Sequence, residues 1–213
     1  MKKILALVLA LTMVMAMAAC TPANNNDATN GTTEATTEAT TDNKPSLSFA
    51  SAAELLNTAW ATFPEENKFS VMGGDAENPN FEGAGNVTLP GAEGNALWNL
   101  YVPDEQLANI TEAATMMHAM NANTFTAGAL KLAEGADKTA VAAALKEAIM
   151  NTRWMCGFPE RMIIVSVGDY LVVAFGHDGV SYPEGGKLIS LFLTGLQTAD
   201  ANAQVLHDEA ITG

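Results

Sequence analysis

The chain has 213 residues and a formal charge of −14, from 24 acidic against 10 basic residues. Without a basic cluster this balance excludes a nucleic-acid binder, whose affinity rests on neutralised phosphates. An anionic membrane surface would repel it too, so attachment there has to be covalent or inserted; solubility at a cell surface is the plain reading of the acidity.

Met1-Lys2-Lys3 precede an apolar run, Ile4 to Ala19, in which Thr12 is the only polar residue. A charged start and a short apolar stretch describe a secretory signal, and the run is shorter than the roughly 20 residues of a membrane span. Met17-Ala18-Ala19-Cys20 resembles the bacterial lipobox. The resemblance implies that Cys20 becomes the lipidated N-terminus, and two acyl chains suffice for stable anchoring. Thr21 to Ser46 holds a Thr-Thr-Glu-Ala repeat and no Val, Ile, Leu, Met or aromatic residue. Such a segment cannot build a core and reads as a tether averaging roughly 28 Å in span. The expected organisation is a signal peptide over 1–19, a lipidated Cys and disordered linker over 20–46, and one α+β domain over 47–213. That domain is long enough to bury roughly 70% of its unfolded surface without disulfides or metals.

Ser51 and Glu54 are placed like a capping box before Leu55, Leu56, Ala59, Trp60 and Phe63 at helical spacing, and Pro64 ends the helix. Phe69 to Met72 reads as a short strand. Gly73 to Asn95 is a long Gly/Asn/Pro-rich loop, of the kind that is either functional or disordered. Asp75, Glu77, Asn78, Asn80 and Glu82 bring oxygens together there, but Pro79 stands where an EF-hand needs a ligand. A solvated acidic loop is preferred to a calcium site, and no metal or cofactor is predicted.

Leu97 to Val102 fits a strand or a short helical turn, and Pro103-Asp104-Glu105 looks like the first turn of a helix running to about Met120. Met116, Met117 and Met120 read as gap-filling core. Thr124 to Ala133 alternates as a strand, and Asp137 is the N-cap of a helix reaching about Met155. Arg161 to Gly176 reads as a hairpin with a type II′ turn at Gly168-Asp169. Val167 then faces Tyr170, Val165 faces Val172 and Ile163 faces Ala174. Both faces of this ribbon are apolar, so it lies in a sheet covered on both sides or leaves one face for a ligand, a partner or a second layer. Lys187 to about Glu209 reads as a C-terminal helix interrupted by Gly195. The fold class is α+β, a small antiparallel or mixed sheet built around the hairpin with helices packed on it.

From about Trp98 onward the chain resembles a family of uncharacterised small lipoproteins of Gram-positive gut bacteria, a domain of unknown function. The resemblance is carried by Leu100-Tyr101-Val102-Pro103, the Met-rich segment after it, the strand and helix of Leu130 to Ile149, and Val167 to Val173, about 80 residues. It implies a lipoprotein with a small α+β domain and supplies no catalytic residues.

Cys156 is the only thiol of the folded part. Flanked by Trp154, Met155 and Phe158, it reads as a buried structural residue; as a nucleophile it would need His118, His177 or His207, none in a recognisable signature. His177-Asp178 and His207-Asp208-Glu209 lack metal-ligand spacing and read as surface polar residues. Trp98 and Tyr101, beside the Gly-rich loop, are the candidate ligand-binding residues, since aromatics at a loop edge stack on sugars or grip a peptide. The expectation is a membrane-anchored, non-catalytic module that binds a small molecule or a protein and no nucleic acid. Its alternatives are an accessory subunit of an envelope or transport complex and an unrecognised hydrolase or thiol enzyme.

Overall fold

The computed structural model describes residues 48–89, 97–179 and 186–212. The signal peptide, Cys20 and the linker lie outside the described residues. Seven strands form one antiparallel sheet in the order β1-β3-β4-β6-β5-β7, with β2 also paired to β3. They are β1 (Val71–Met72), β2 (Gly85–Val87), β3 (Ile110–His118), β4 (Phe125–Leu132), β5 (Arg161–Val167), β6 (Tyr170–Gly176) and β7 (Gln204–Ala210). Three helices complete the α+β fold: α1 (Ala52–Ala61), α2 (Lys138–Met150) and α3 (Leu188–Ala199).

The hairpin β5–β6 sits inside the sheet with the expected register, Val167 opposite Tyr170, Val165 opposite Val172 and Ile163 opposite Ala174. Only the first central residue of its turn, Gly168, has a positive φ, 54°, as a type II′ turn requires. Both of its faces are covered. Ile163, Val165, Val167, Tyr170, Val172 and Ala174 join the core under α1 and α3, while Met162, Ile164, Leu171, Val173 and Phe175 join the core under α2. Full burial of each of these Val, Ile or Leu side chains contributes about 1.5–3 kcal/mol, so packing on both faces stabilises the hairpin strongly. Ser166, its polar exception, accepts a hydrogen bond from Lys138 Nζ at 2.8 Å.

The first core gathers around Phe125 at the start of β4, whose ring lies 5.4–6.2 Å from those of Trp60, Phe63, Phe69 and Phe192. α1 begins as expected, Ser51 Oγ accepting from Glu54 N–H at 3.1 Å. Glu54 reaches back to the N–H of Ala50, not of Ser51, and Glu112 of β3 accepts from the N–H of Ala52. Carboxylates thus cluster at the positive end of the helix. α2 starts on Asp137, whose Oδ1 accepts from the N–H groups of Thr139 and Ala140 at 3.0 Å.

One expected helix is mostly a strand, and another gives way to one. Asp104–Asn109 is a 3-10 turn and Ile110–His118 is β3. Its ITEAATMMH sequence carries helical spacing, but β3 is hydrogen-bonded along both edges, to β4 on one side and to β1 and β2 on the other. Ladder pairing overrides the modest helix preference of Ala and Met. The expected C-terminal helix ends at Ala199, and Gln204–Ala210 returns as the edge strand β7 beside β5. Gly195 does not interrupt α3; it lies where that helix meets Ala59 of α1.

Candidate functional site

The edge of the sheet at β3 is where the long loop becomes structure. β1 and β2 pair with consecutive stretches of β3, Met72 opposite Met117 and Gly85 opposite Thr115, so 73–84 is an excursion from an interrupted edge strand. Its neck is closed by backbone contact. Gly73 exchanges both main-chain hydrogen bonds with Asn80, at 2.7 and 2.9 Å. A Cβ on Gly73 would lie 2.1 Å from Thr115 O and 2.5 Å from Gly85 N, so no side chain fits there. The buried Thr115 hydroxyl accepts from Gly74 N–H and donates to Gly74 O.

Asp75 organises the excursion. Its Oδ1 accepts from the N–H groups of Glu77 and Asn78 at 2.9 and 2.7 Å, and its Oδ2 from Thr88 N–H at 2.5 Å. The Thr88 bond is the main reason its carboxyl is held below the usual carboxylate range. Asn80 Nδ2 donates to Ala84 O, and Ala84 N–H donates to Asn57 of α1. The acidic side chains of this loop thus serve loop closure through Asp75 while Glu77 and Glu82 face solvent. Among the described residues no group of three or more His, Cys, Asp or Glu is arranged to hold a metal ion.

Trp98 reaches this edge from the other side. Trp98–Leu100 is a 3-10 turn, one of the two forms expected for Leu97 to Val102. Leu97 and Leu100 are buried completely, which anchors the turn and leaves Trp98 facing out, 73% exposed. Gly128 of β4 makes room for it, since a Cβ there would sit 2.2 Å from Leu100 Cδ1. Trp98 and Phe81, itself 71% exposed, line one cleft of about 430 Å³ together with Met72, Gly74, Asp75, Asn99 and Met117. The Oδ1 of Asn99 is buried and has no hydrogen-bond partner among the described residues.

Tyr101 does not belong to this cleft. Its ring packs edge-on to Trp154 at 5.3 Å and against Phe175 at 5.6 Å, and burial pushes its phenol pKa up. It closes the α2-side core at a left-handed φ of 57°. Of the two candidate aromatics, therefore, Trp98 borders the cleft and Tyr101 is half-buried packing. Phe81, Asn99 and Met117 are additions that the sequence reading missed. A large apolar residue in an otherwise polar Gly/Asn/Pro loop was the available signal for Phe81.

Other candidates fall elsewhere. Cys156 is exposed, as are Met155 and Phe158, contrary to the expectation of a buried thiol. It has a φ of 62°, and its loop is held out from the sheet: Asn121 Nδ2 donates to Cys156 O, and Asn123 Nδ2 to Met155 O and Gly157 O. Among the described residues no hydrogen bond joins its Sγ to an imidazole. The methionines separate by strand alternation: Met116 is buried, Met117 lines the cleft and Met120, beyond the strand, is 90% exposed. His118 stacks on Phe69 at 4.8 Å, and its Nδ1 accepts from the N–H groups of Met120 and Asn121. Desolvation lowers its pKa.

Asp178 and Asp208, expected as surface polar residues, are held by Arg161. The guanidinium makes a two-pronged contact with Asp208 at 2.7 Å per bond and donates to Asp178 and to Ser190 Oγ, also at 2.7 Å. The pairing with Asp208 raises the Arg161 pKa and lowers that of Asp208. This cluster ties β5 to β7, to the exit of β6 and to the first turn of α3, and its charges satisfy one another, which marks it as structural. Compared with protein-family models, with curated proteins and with solved structures, the chain matches none.

Proposed function

We propose that the protein is a lipoprotein anchored through Cys20 to the extracytoplasmic face of the membrane, and that its α+β domain is a non-catalytic binding module taking a small molecule in the Phe81–Trp98 cleft. The carrying observation is that two large aromatics, each more than seven-tenths exposed, line the same cleft of about 430 Å³ on hydrogen-bonded, well-anchored segments. A soluble domain seldom leaves such rings in water without use, and the volume falls in the range of small-ligand sites. The lipobox-like Met17 to Cys20 and the polar tract after it support the anchor, and kinship with small lipoproteins belongs to the same proposal.

Two experiments test it. The wild-type protein partitions to the membrane fraction and incorporates labelled fatty acid, and Cys20→Ser abolishes both. In a thermal-shift screen of the full chain, a ligand at a hundred times its dissociation constant stabilises by about 2.7 kcal/mol. That moves the midpoint by several degrees, and Trp98→Ala removes the shift.

A second reading, an accessory subunit of an envelope complex, is favoured by Met120, Met155 and Phe158, exposed on two turns that Asn121 and Asn123 clamp together. Cross-linking on intact cells from position 155 distinguishes it, because this reading requires one dominant protein adduct.

A further inference from the structure

We infer that the ligand of the Phe81–Trp98 cleft is a small organic cation, an ammonium compound with an apolar body. The inference rests on the reading of that cleft as a binding site and names the class of its occupant. Among the described lining residues Asp75 is the only one with a charged side chain, and no Lys, Arg or His is present. An anionic ligand would find nothing there to neutralise it, and burying an unpaired charge is costly. A cation finds two things. The exposed faces of Trp98 and Phe81 attract positive charge through the ring quadrupole, Trp most strongly. The Asp75 carboxylate supplies negative charge beside the rings, its oxygens engaged by three backbone N–H groups and by the Thr88 hydroxyl.

The remaining lining, Met72, Ala76, Pro79 and Met117, suits the apolar body, and thioethers adapt to irregular shapes. At larger scale the formal charge of −14 raises the local concentration of cations and speeds their arrival. A sugar would use the aromatic faces and its hydroxyls would donate to acceptors there, but only a cation gains directly from the negative charge as well.

The test is calorimetric titration of the full chain with choline, with its uncharged isostere 3,3-dimethylbutan-1-ol, with glucose and with acetate. The expected result is saturable binding of choline, at least about tenfold tighter than the isostere, as a cation–π site requires. Binding weakens as salt is raised, since the site is open to solvent. Trp98→Ala abolishes binding with an unchanged circular dichroism spectrum. Phe81→Ala weakens it and serves as the second variant should Trp98→Ala fold poorly. Equal affinity for choline and the isostere overturns the cation assignment and leaves an apolar binding site. Binding of glucose or acetate in preference to choline overturns it in the same way, with the binding module intact. Silence with all four probes overturns the cation class, and a flat thermal-shift screen in addition overturns the cleft as a site.

Discussion

Leu100 lies directly over Gly128: a β-carbon on residue 128 would come within 2.2 Å of Leu100 Cδ1 and 2.8 Å of Cδ2. This contact sets the height of the 3-10 turn on β4 and so determines where Trp98 emerges.

Gly128→Ala therefore lifts the turn. Overpacking of a closed core costs about 1–3 kcal/mol. Urea unfolding should show a lower midpoint at unchanged slope, the signature of lost stability without altered compactness. The environment of the exposed indole should change with it, visible as a shift in Trp98 emission when compared with a Trp98→Phe control.

Asp75 closes the loop that carries Phe81, and Asp75→Ala removes the acceptor for three N–H groups at once. Each orphaned bond to an ionised acceptor is worth about 1.5–3 kcal/mol when buried, and less at this exposed position. The expected global loss is about 1–2 kcal/mol. Hydrogen exchange should report faster amide exchange at Glu77, Asn78 and Thr88, with the amides of β5 and β6 unchanged.

Arg161→Met breaks the network that joins β5, β7 and α3, and it leaves the largely buried Asp178 without its cation. A cost of about 2–4 kcal/mol follows for a charge left unpaired, slightly below that of a fully buried pair. The pH dependence has a definite sign. The Asp208 carboxyl is lowered in the folded state, so its stabilising contribution is full above its unfolded value near 3.9 and is lost as pH falls through the folded value. The wild type should lose stability more steeply than Arg161→Met as pH falls below about 4.

His118 contributes a second acid-sensitive step at higher pH. Its pKa is lowered by desolvation, with His177 as the nearby like-charged group. Between the unfolded value near 6.5 and the lower folded value, the unfolded chain binds more protons. The contribution is thus full above about pH 6.5 and is lost as pH falls below it. Protonation also turns Nδ1 from the acceptor of two N–H groups into a donor. Melting temperatures measured from pH 8 to 5 should decline, and His118→Gln should flatten the decline.

Cys156 offers a check on its exposed, left-handed position. An L-residue there is strained by about 1–2 kcal/mol, partly offset in glycine by its greater freedom when unfolded. Cys156→Gly should be neutral to stabilising by up to about 1 kcal/mol, and Cys156→Val clearly destabilising. The native thiol should react with a disulfide reagent without denaturant.

The central hairpin was legible because two independent signals agreed, a two-residue Gly-Asp turn and apolar residues on both faces. Its placement between two helical layers then follows from its having no polar face. β3 was not legible, because Ile110, Ala114 and Met117 satisfy helical spacing and nothing within the segment itself marks its pairing to β4 on one edge and to β1 and β2 on the other. β7 was hidden for a related reason: Gln204–Ala210 is a charged, half-exposed edge strand whose partner lies some forty residues earlier. Trp98 was identifiable from its place beside the loop. Phe81 joined it only through the closure of the excursion by Asp75 and Gly73, and Asn99 follows Trp98 on the same 3-10 turn. The Cys156 environment misled because apolar neighbours in sequence usually mean burial, whereas here two Asn side chains hold the loop off the core.

The most direct test is to follow the tryptophan indole N–H signals and the backbone amides of the full chain by nuclear magnetic resonance while choline is added. The account predicts saturable shifts at Trp98, Gly73, Gly74 and Asn99, with the indoles of Trp60 and Trp154 unmoved. Shifts confined to other surfaces, or none at saturating concentration, would contradict the claim that this cleft binds an organic cation.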